Sequence, residues 1–207
     1  MKKLVYLVDD DPSVRNGLSR ILRISGYEVE AFESAKDFLT SWDDSAECCL
    51  LLDAMMPGMT GPELQNSLLD LPYYPPIIFI SAHGDVPLAA STIKKGATDF
   101  LTKPVDAREL LEAIERALLK NHKDHEVFML EADILQKIDR LTSREFEVMT
   151  YVIAGLLDKQ VASELGISIK TVKVHRGRIR DKLGVRSVAK LVALCSKVGI
   201  QPVQLDG

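Results

Sequence analysis

A chain of 207 residues is long enough for one or two domains that bury their own cores without disulfide help. Hydrophobic residues at 46% against 27% charged match a globular protein in water, and no apolar run approaches the ~18 residues of a bilayer span. The three cysteines, two of them adjacent, make no disulfide framework; this excludes small secreted scaffolds and points to a reducing compartment, the cytoplasm.

The formal net charge of −4 conceals an asymmetry. From residue 141 onward 11 Lys/Arg face 6 Asp/Glu, whereas the residues before it hold 15 and 24. An acidic front and a basic back imply two parts with different partners.

The front opens with a short apolar strand, residues 4–8, that ends in Asp9-Asp10-Asp11-Pro12. Ser13 or Asp11 caps a helix whose apolar positions, Val14, Leu18, Ile21 and Leu22, recur at helical spacing until Gly26. Residues 27–32 predict a second strand and 34–42 a second helix. The run Cys48-Cys49-Leu50-Leu51-Leu52 then ends in Asp53, and Pro57 and Gly58 forbid its continuation. A short apolar run between breakers predicts a strand buried on both faces. A helix over 61–71, a strand over 77–81, a helix over 86–95, a strand over 97–101 and a helix capped by Asp106 complete the front. Alternation of this kind predicts an α/β fold, a doubly wound five-stranded parallel sheet with helices on both faces.

In such sheets chemistry sits outside the carboxyl ends of the strands. Alone, a strand-end Asp is more often a turn cap than a reactive group. Here the first strand delivers Asp9 and Asp10, the third Asp53, the fourth Ser81, and Lys103 follows the fifth. Three carboxylates gathered in one place repel unless a cation joins them, and hard oxygen donors suit Mg²⁺. Carboxylate nucleophile, metal, hydroxyl and ammonium together make a set for phosphoryl transfer, with Asp53 attacking.

These motifs resemble the receiver domain of bacterial two-component response regulators over residues 1–120. Val8-Asp9-Asp10-Asp11 is similar to its acidic pair, and Leu52-Asp53-Ala54-Met55-Met56-Pro57-Gly58-Met59-Thr60-Gly61 to its phospho-acceptor loop. Ser81-Ala82-His83-Gly84-Asp85 resembles the switch hydroxyl segment, and Asp99-Phe100-Leu101-Thr102-Lys103-Pro104 the lysine segment. The resemblance implies Asp53 as phospho-acceptor, with Mg²⁺ on Asp10, Asp53 and the Met55 carbonyl and with Asp9 assisting. It also implies Phe100 as switch aromatic and a cis Lys103–Pro104 bond. By position Met55 shields the aspartyl phosphate and His83 tunes water access. The rival reading as a haloacid-type phosphatase requires a second acid close after the nucleophile, where this chain has Met55.

Residues 121–140 hold no Gly or Pro and read as a helical linker. After it, Thr142 or Ser143 opens a helix ended by Gly155. Asp158 caps a short helix over 159–165, Gly166 turns, and Ser168 caps a helix over 169–183. That last helix turns Val172, Ile179 and Leu183 inward and carries Lys170, Lys173, Arg176, Arg178, Arg180 and Lys182 elsewhere. Ser187 caps a final helix. A basic helix-turn-helix points to the DNA major groove rather than to a membrane.

Residues 141–192 resemble the all-α, four-helix LuxR-type output domain of NarL/FixJ regulators, and the DNA-binding domain is read as 141–207. The resemblance rests on Leu141-Thr142-Ser143-Arg144-Glu145, Val161-Ala162-Ser163-Glu164-Leu165-Gly166-Ile167-Ser168, Lys170-Thr171-Val172-Lys173-Val174-His175-Arg176 and Leu183-Gly184-Val185-Arg186-Ser187. Both halves together look most like FixJ-like regulators. By position Lys173 and Val174 face base edges, while Lys170, Thr171, His175, Arg176 and Arg178 meet phosphates. Gly177 stands where some relatives have a longer contacting residue. The resemblance implies a phosphorylation-activated, cytoplasmic transcription factor rather than a turnover enzyme. A sensor histidine kinase, promoter DNA, RNA polymerase and a second copy of the chain are its implied partners. Output follows either from dimerisation or from release of a masked DNA surface.

Overall fold

The computed structural model describes residues 3–42, 47–82 and 86–204. Its order is β1 (Leu4–Val8), α1 (Pro12–Ile24), β2 (Glu28–Phe32), α2 (Ala35–Ser41), β3 (Cys48–Asp53), α3 (Gly61–Leu69), β4 (Ile77–Ser81), α4 (Val86–Lys94), β5 (Asp99–Thr102) and α5 (Ala107–Asp139). Then follow α6 (Ser143–Ile153), α7 (Asp158–Glu164), α8 (Ile169–Leu183) and α9 (Val188–Lys197). The chain divides into two compact units, 1–128 and 129–207, within α5.

The first unit is one parallel sheet in the order β2-β1-β3-β4-β5. Strand side chains alternate between faces, so each strand feeds two cores. Val5, Leu7, Cys49, Leu51, Ile78 and Ile80 meet Leu18 and Leu22 of α1 and Leu110 and Ile114 of α5. Tyr6, Val8, Leu50, Leu52 and Phe79 meet Phe38 of α2 and Leu64 and Leu68 of α3. All six residues of β3 are buried, which explains the unbroken apolar run. Edge strand β2 instead exposes Glu28 and Glu30, charges that discourage further strand addition.

Helix boundaries follow local chemistry. Of the two expected caps for α1, Asp11 is the one used: it accepts from the N–H groups of Ser13 and Val14. α3 stops at Leu69, two residues before the expected end, and β5 begins at Asp99 rather than 97, since the Ala97 N–H is still given to the Thr92 carbonyl of α4. Helix α5 runs unbroken to Asp139, so residues 121–139 are helical. Asn121 is fully buried; its Oδ1 accepts from the first N–H of β3, Cys48, at 3.1 Å and its Nδ2 donates to the Tyr73 hydroxyl.

The second unit buries Val148, Met149 and Val152 of α6 against Val161 of α7, Val172, Ile179 and Leu183 of α8, and Leu191 of α9. Ile134 and Ile138 of α5 join that core. One expectation is corrected here. Asp158 does not cap α7 but is its first residue; the N-cap is Leu157, whose N–H is taken by Gln160 Oε1 at 2.8 Å. The Asp158 carboxylate is drawn off by Arg176 at 2.5 Å. No described helix is long and apolar enough to cross a membrane.

Candidate functional site

Register builds the first site. Pairing of Val8 with Leu52 and of Asp53 with Ile80 brings the ends of β1, β3 and β4 level, and Ser81 pairs with Thr102 one residue before Lys103. Carboxylate oxygens of Asp9, Asp10 and Asp53 lie within 4.8 Å of one another. Asp9 is fully buried, Asp53 is 5% exposed, and Asp10 is open to solvent.

Lys103 answers two of these three anions. Lys103 Nζ stands 2.7 Å from Asp9 Oδ2 and 2.7 Å from Asp53 Oδ2. Burial opposes the lysine's charge, but hydrogen bonds to Asp53 and Asp9 outweigh it and hold its pKa above the ordinary value. Asp9 is shifted the other way for a carboxylate: burial raises its pKa, against the lowering by Lys103 and the Asp11 N–H. Asp9 Oδ1 accepts from Asp11 N–H at 2.9 Å, and Arg15 Nη1 donates to the Asp9 carbonyl at 2.6 Å. Asp53 Oδ1 accepts from Met55 N–H at 3.1 Å. Lys103–Pro104 is cis, and Ser81 is 2% exposed. Phe100 is half-buried against the Phe79 ring, with centroids 6.2 Å apart. Met55 lies 65% exposed at the mouth, whereas His83 falls outside the described residues.

The donor set fits a hard divalent cation: three carboxylates, one open to solvent, converge on a spot where burial makes uncompensated charge expensive. Gly61 is a site residue that the motif shows without its reason. A Cβ built there would lie 2.4 Å from the Asp53 carbonyl oxygen and 2.9 Å from Phe79. Only glycine lets α3 start this close behind Asp53. Arg15 and Asn121 carry no signal of their own in the sequence, since both depend on partners met only after folding.

The second site lies on α8. Lys170, Lys173, Val174 and Arg178 are exposed, Val174 by 45%. Thr171 is partly engaged by the cap, its Oγ1 2.8 Å from Ser168 Oγ. His175 is half-buried, with Nδ1 inside. Two of the six basic residues of α8 are paired within the fold: Arg176 with Asp158, and Lys182 with Glu145 at 2.6 Å. Gly177 is unlike Gly61, for a Cβ there would meet nothing within 4 Å. Arg180, two helical turns on from Lys173, lines a groove between α7 and α8 with it; Lys159 joins them from α7, which no spacing within α8 could mark.

Comparison with known proteins agrees with this division. Residues 5–115 match the family described as response regulator receiver domain, and residues 139–195 the family of bacterial regulatory proteins, luxR family. Nodulation protein W of Bradyrhizobium diazoefficiens is 40% identical over 199 residues, covering 96% of this chain and 88% of that protein. The transcriptional regulatory protein FixJ of Rhizobium meliloti is 38% identical, covering 96% and 97%. Among solved structures, that of the response regulator StyR superposes with a TM-score of 0.78 at 46% identity, covering 95% of this chain and all of that one.

Proposed function

The chain belongs to the response regulators of NarL/FixJ type, transcriptional regulators that join a receiver to a LuxR-type DNA-binding domain, and on that premise we propose that phosphorylation of Asp53 controls promoter occupancy. The observation that carries this is Lys103, held at 2.7 Å by both Asp9 and Asp53. A sensor histidine kinase is the donor. An Asp53 carboxylate oxygen attacks the phosphorus of a phosphohistidine, the P–N bond breaks, and imidazole leaves as an acyl phosphate forms. Asp9, Asp10, Asp53 and the Met55 carbonyl would hold Mg²⁺, which supplies charge neutralisation for the phosphoryl oxygens.

Lys103 then trades a carboxylate for the phosphoryl group, which carries about −1.5 to −2 charges in place of the carboxylate's single one, and Ser81 donates a hydrogen bond to it. Phe100 follows inward, and the face of α4, β5 and α5 shifts between two states. Met55 and His83 set the lifetime of the acyl phosphate by admitting or excluding water. The regulator loses its own phosphoryl group slowly and turns over no other substrate. Dimerisation sets two α8 helices on half-sites about 34–36 Å apart, where RNA polymerase is recruited. Lys173 and Val174 face base edges, the valine suited to a thymine methyl, and Lys170, Thr171, His175 and Arg178 meet phosphates. Arg176, paired with Asp158, serves DNA chiefly by holding α7 against α8.

The test is phosphorylation of the full chain with acetyl phosphate and Mg²⁺, read on a phosphate-affinity gel beside promoter footprinting. Wild type should take up one phosphoryl group and extend its footprint. An Asp53→Asn variant that still responds would overturn the assignment.

A further inference from the structure

Arg15 stands where helix electrostatics would not place it. It is the fourth residue of α1, whose first turn carries no acidic side chain, and the helix dipole disfavours a cation at that end. Helical side chains lean toward the N-terminus, so the half-buried Arg15 reaches back over the first turn. Its Nη1 donates to the Asp9 carbonyl at 2.6 Å. Two more bonds close the same segment: the Arg15 N–H donates to the Asp11 carbonyl at 2.9 Å, and the Asp11 N–H to Asp9 Oδ1 at 2.9 Å. The Asp9 N–H in turn donates to the Phe32 carbonyl at the end of β2. Residues 9 and 11 are both fastened, and Asp10 lies between them.

Asp10 is the carboxylate that needs holding. Lys103 pairs with Asp9 and Asp53, whereas Asp10 has no ion pair or hydrogen bond among the described residues. It is open to solvent, yet its carboxylate stays within 4.8 Å of the other two, against their repulsion. A free surface aspartate would turn away. Arg15 does not hold it by charge: the charges acting on the Asp9 carboxyl are those of Lys103 and Asp53. Arg15 acts through the backbone.

We propose that Arg15 is a positioning residue for the cation site, closing the 9–11 segment so that Asp10 stays within reach of a divalent cation. This rests on the Mg²⁺ reading given above. Groups that support metal ligands from outside the coordination shell typically cost about 10–100-fold in affinity when removed. Deleting a nearby positive charge would instead tighten cation binding, so positioning and charge predict opposite signs. An arginine that only fastened α1 would change melting and leave Mg²⁺ affinity alone.

The full chain, ¹⁵N-labelled and without any phosphoryl donor, decides this when titrated with MgCl₂, followed at the amides of Asp10, Asp11 and Met55. Exchange of the Asp11 amide with solvent is measured on the metal-free protein. Arg15→Met should weaken Mg²⁺ binding about tenfold and speed Asp11 exchange about tenfold, while Arg20→Met, an exposed change on the same helix, should alter neither. Arg15→Lys, which keeps the charge and one donor, should recover part of both losses. Equal or tighter Mg²⁺ binding by Arg15→Met overturns the proposal, and so does weaker binding with Asp11 exchange unchanged. If wild type itself shows no saturable shift, the Mg²⁺ reading falls and the proposal with it; failure of the proposal alone leaves wild-type binding intact.

Discussion

Lys103 in the first unit and Lys182 in the second are the same group facing carboxylates, and their surroundings turn them to opposite ends. Lys103 answers Asp9 and Asp53 with Asp10 adjoining, so one cation stands among three anions. Lys182 answers Glu145 alone. The same Glu145 Oε2 also accepts from Thr142 N–H at 2.9 Å, and Lys182 gives a second hydrogen bond to the Arg140 carbonyl. Burial raises the pKa of Asp9, whereas Lys182 and then the Thr142 N–H lower that of Glu145 to about 2. A surplus of negative charge makes the first site one that a divalent cation fits. A balanced pair instead fastens the start of α6 to the end of α8.

The sharpest break in that comparison is Lys103→Met. It should leave the second unit's melting unchanged yet reduce the phosphorylation-dependent rise in promoter binding to nothing, read by footprinting with and without acetyl phosphate. Gly61→Ala comes next. The 2.4 Å approach to the Asp53 carbonyl forces the acceptor loop to move, and a displacement of about 1 Å should slow phosphoryl uptake by roughly 10–100-fold in a gel-based time course. Undiminished uptake would mean that the loop yields without moving Asp53.

Lys182→Met should do the reverse of Lys103→Met, leaving phosphorylation intact and destabilising the second unit by about 2 kcal/mol. That figure is reduced from the full cost of stranding a buried charge because the lysine is a third exposed. The pair also sets an acid limit. Its contribution is complete above the ordinary glutamate value of 4.5 and is lost as pH falls through about 2. Urea unfolding of the second unit should therefore weaken between those limits, by about 2 kcal/mol at most, and Glu145→Gln should flatten the slope. A smaller change contrasts the two glycines. Gly177→Ala has open space, so it should stabilise α8 by about 0.5–1 kcal/mol in urea melts. If DNA approaches the helix backbone there, promoter affinity should fall even as stability rises.

Much of this protein is settled locally and so can be read from the sequence. Apolar runs of four or five residues mark β1, β3 and β4, and helical spacing marks α1 and α8, because the period of a pattern follows from backbone geometry alone. Asp53, Asp9, Asp10, Ser81 and Lys103 are legible because a parallel sheet places strand ends side by side wherever the connections run. What only the tertiary structure decided concerns groups whose partners lie far along the chain. Arg176 and Lys182 look like free charges until Asp158 and Glu145 meet them, 18 and 37 residues away. Asn121 belongs to the start of β3 across 73 residues, and Gly61 is required because its missing Cβ would collide with a carbonyl that α3 meets only when packed. A side chain's charge is written in its identity; its freedom depends on which neighbour the fold brings within hydrogen-bonding distance.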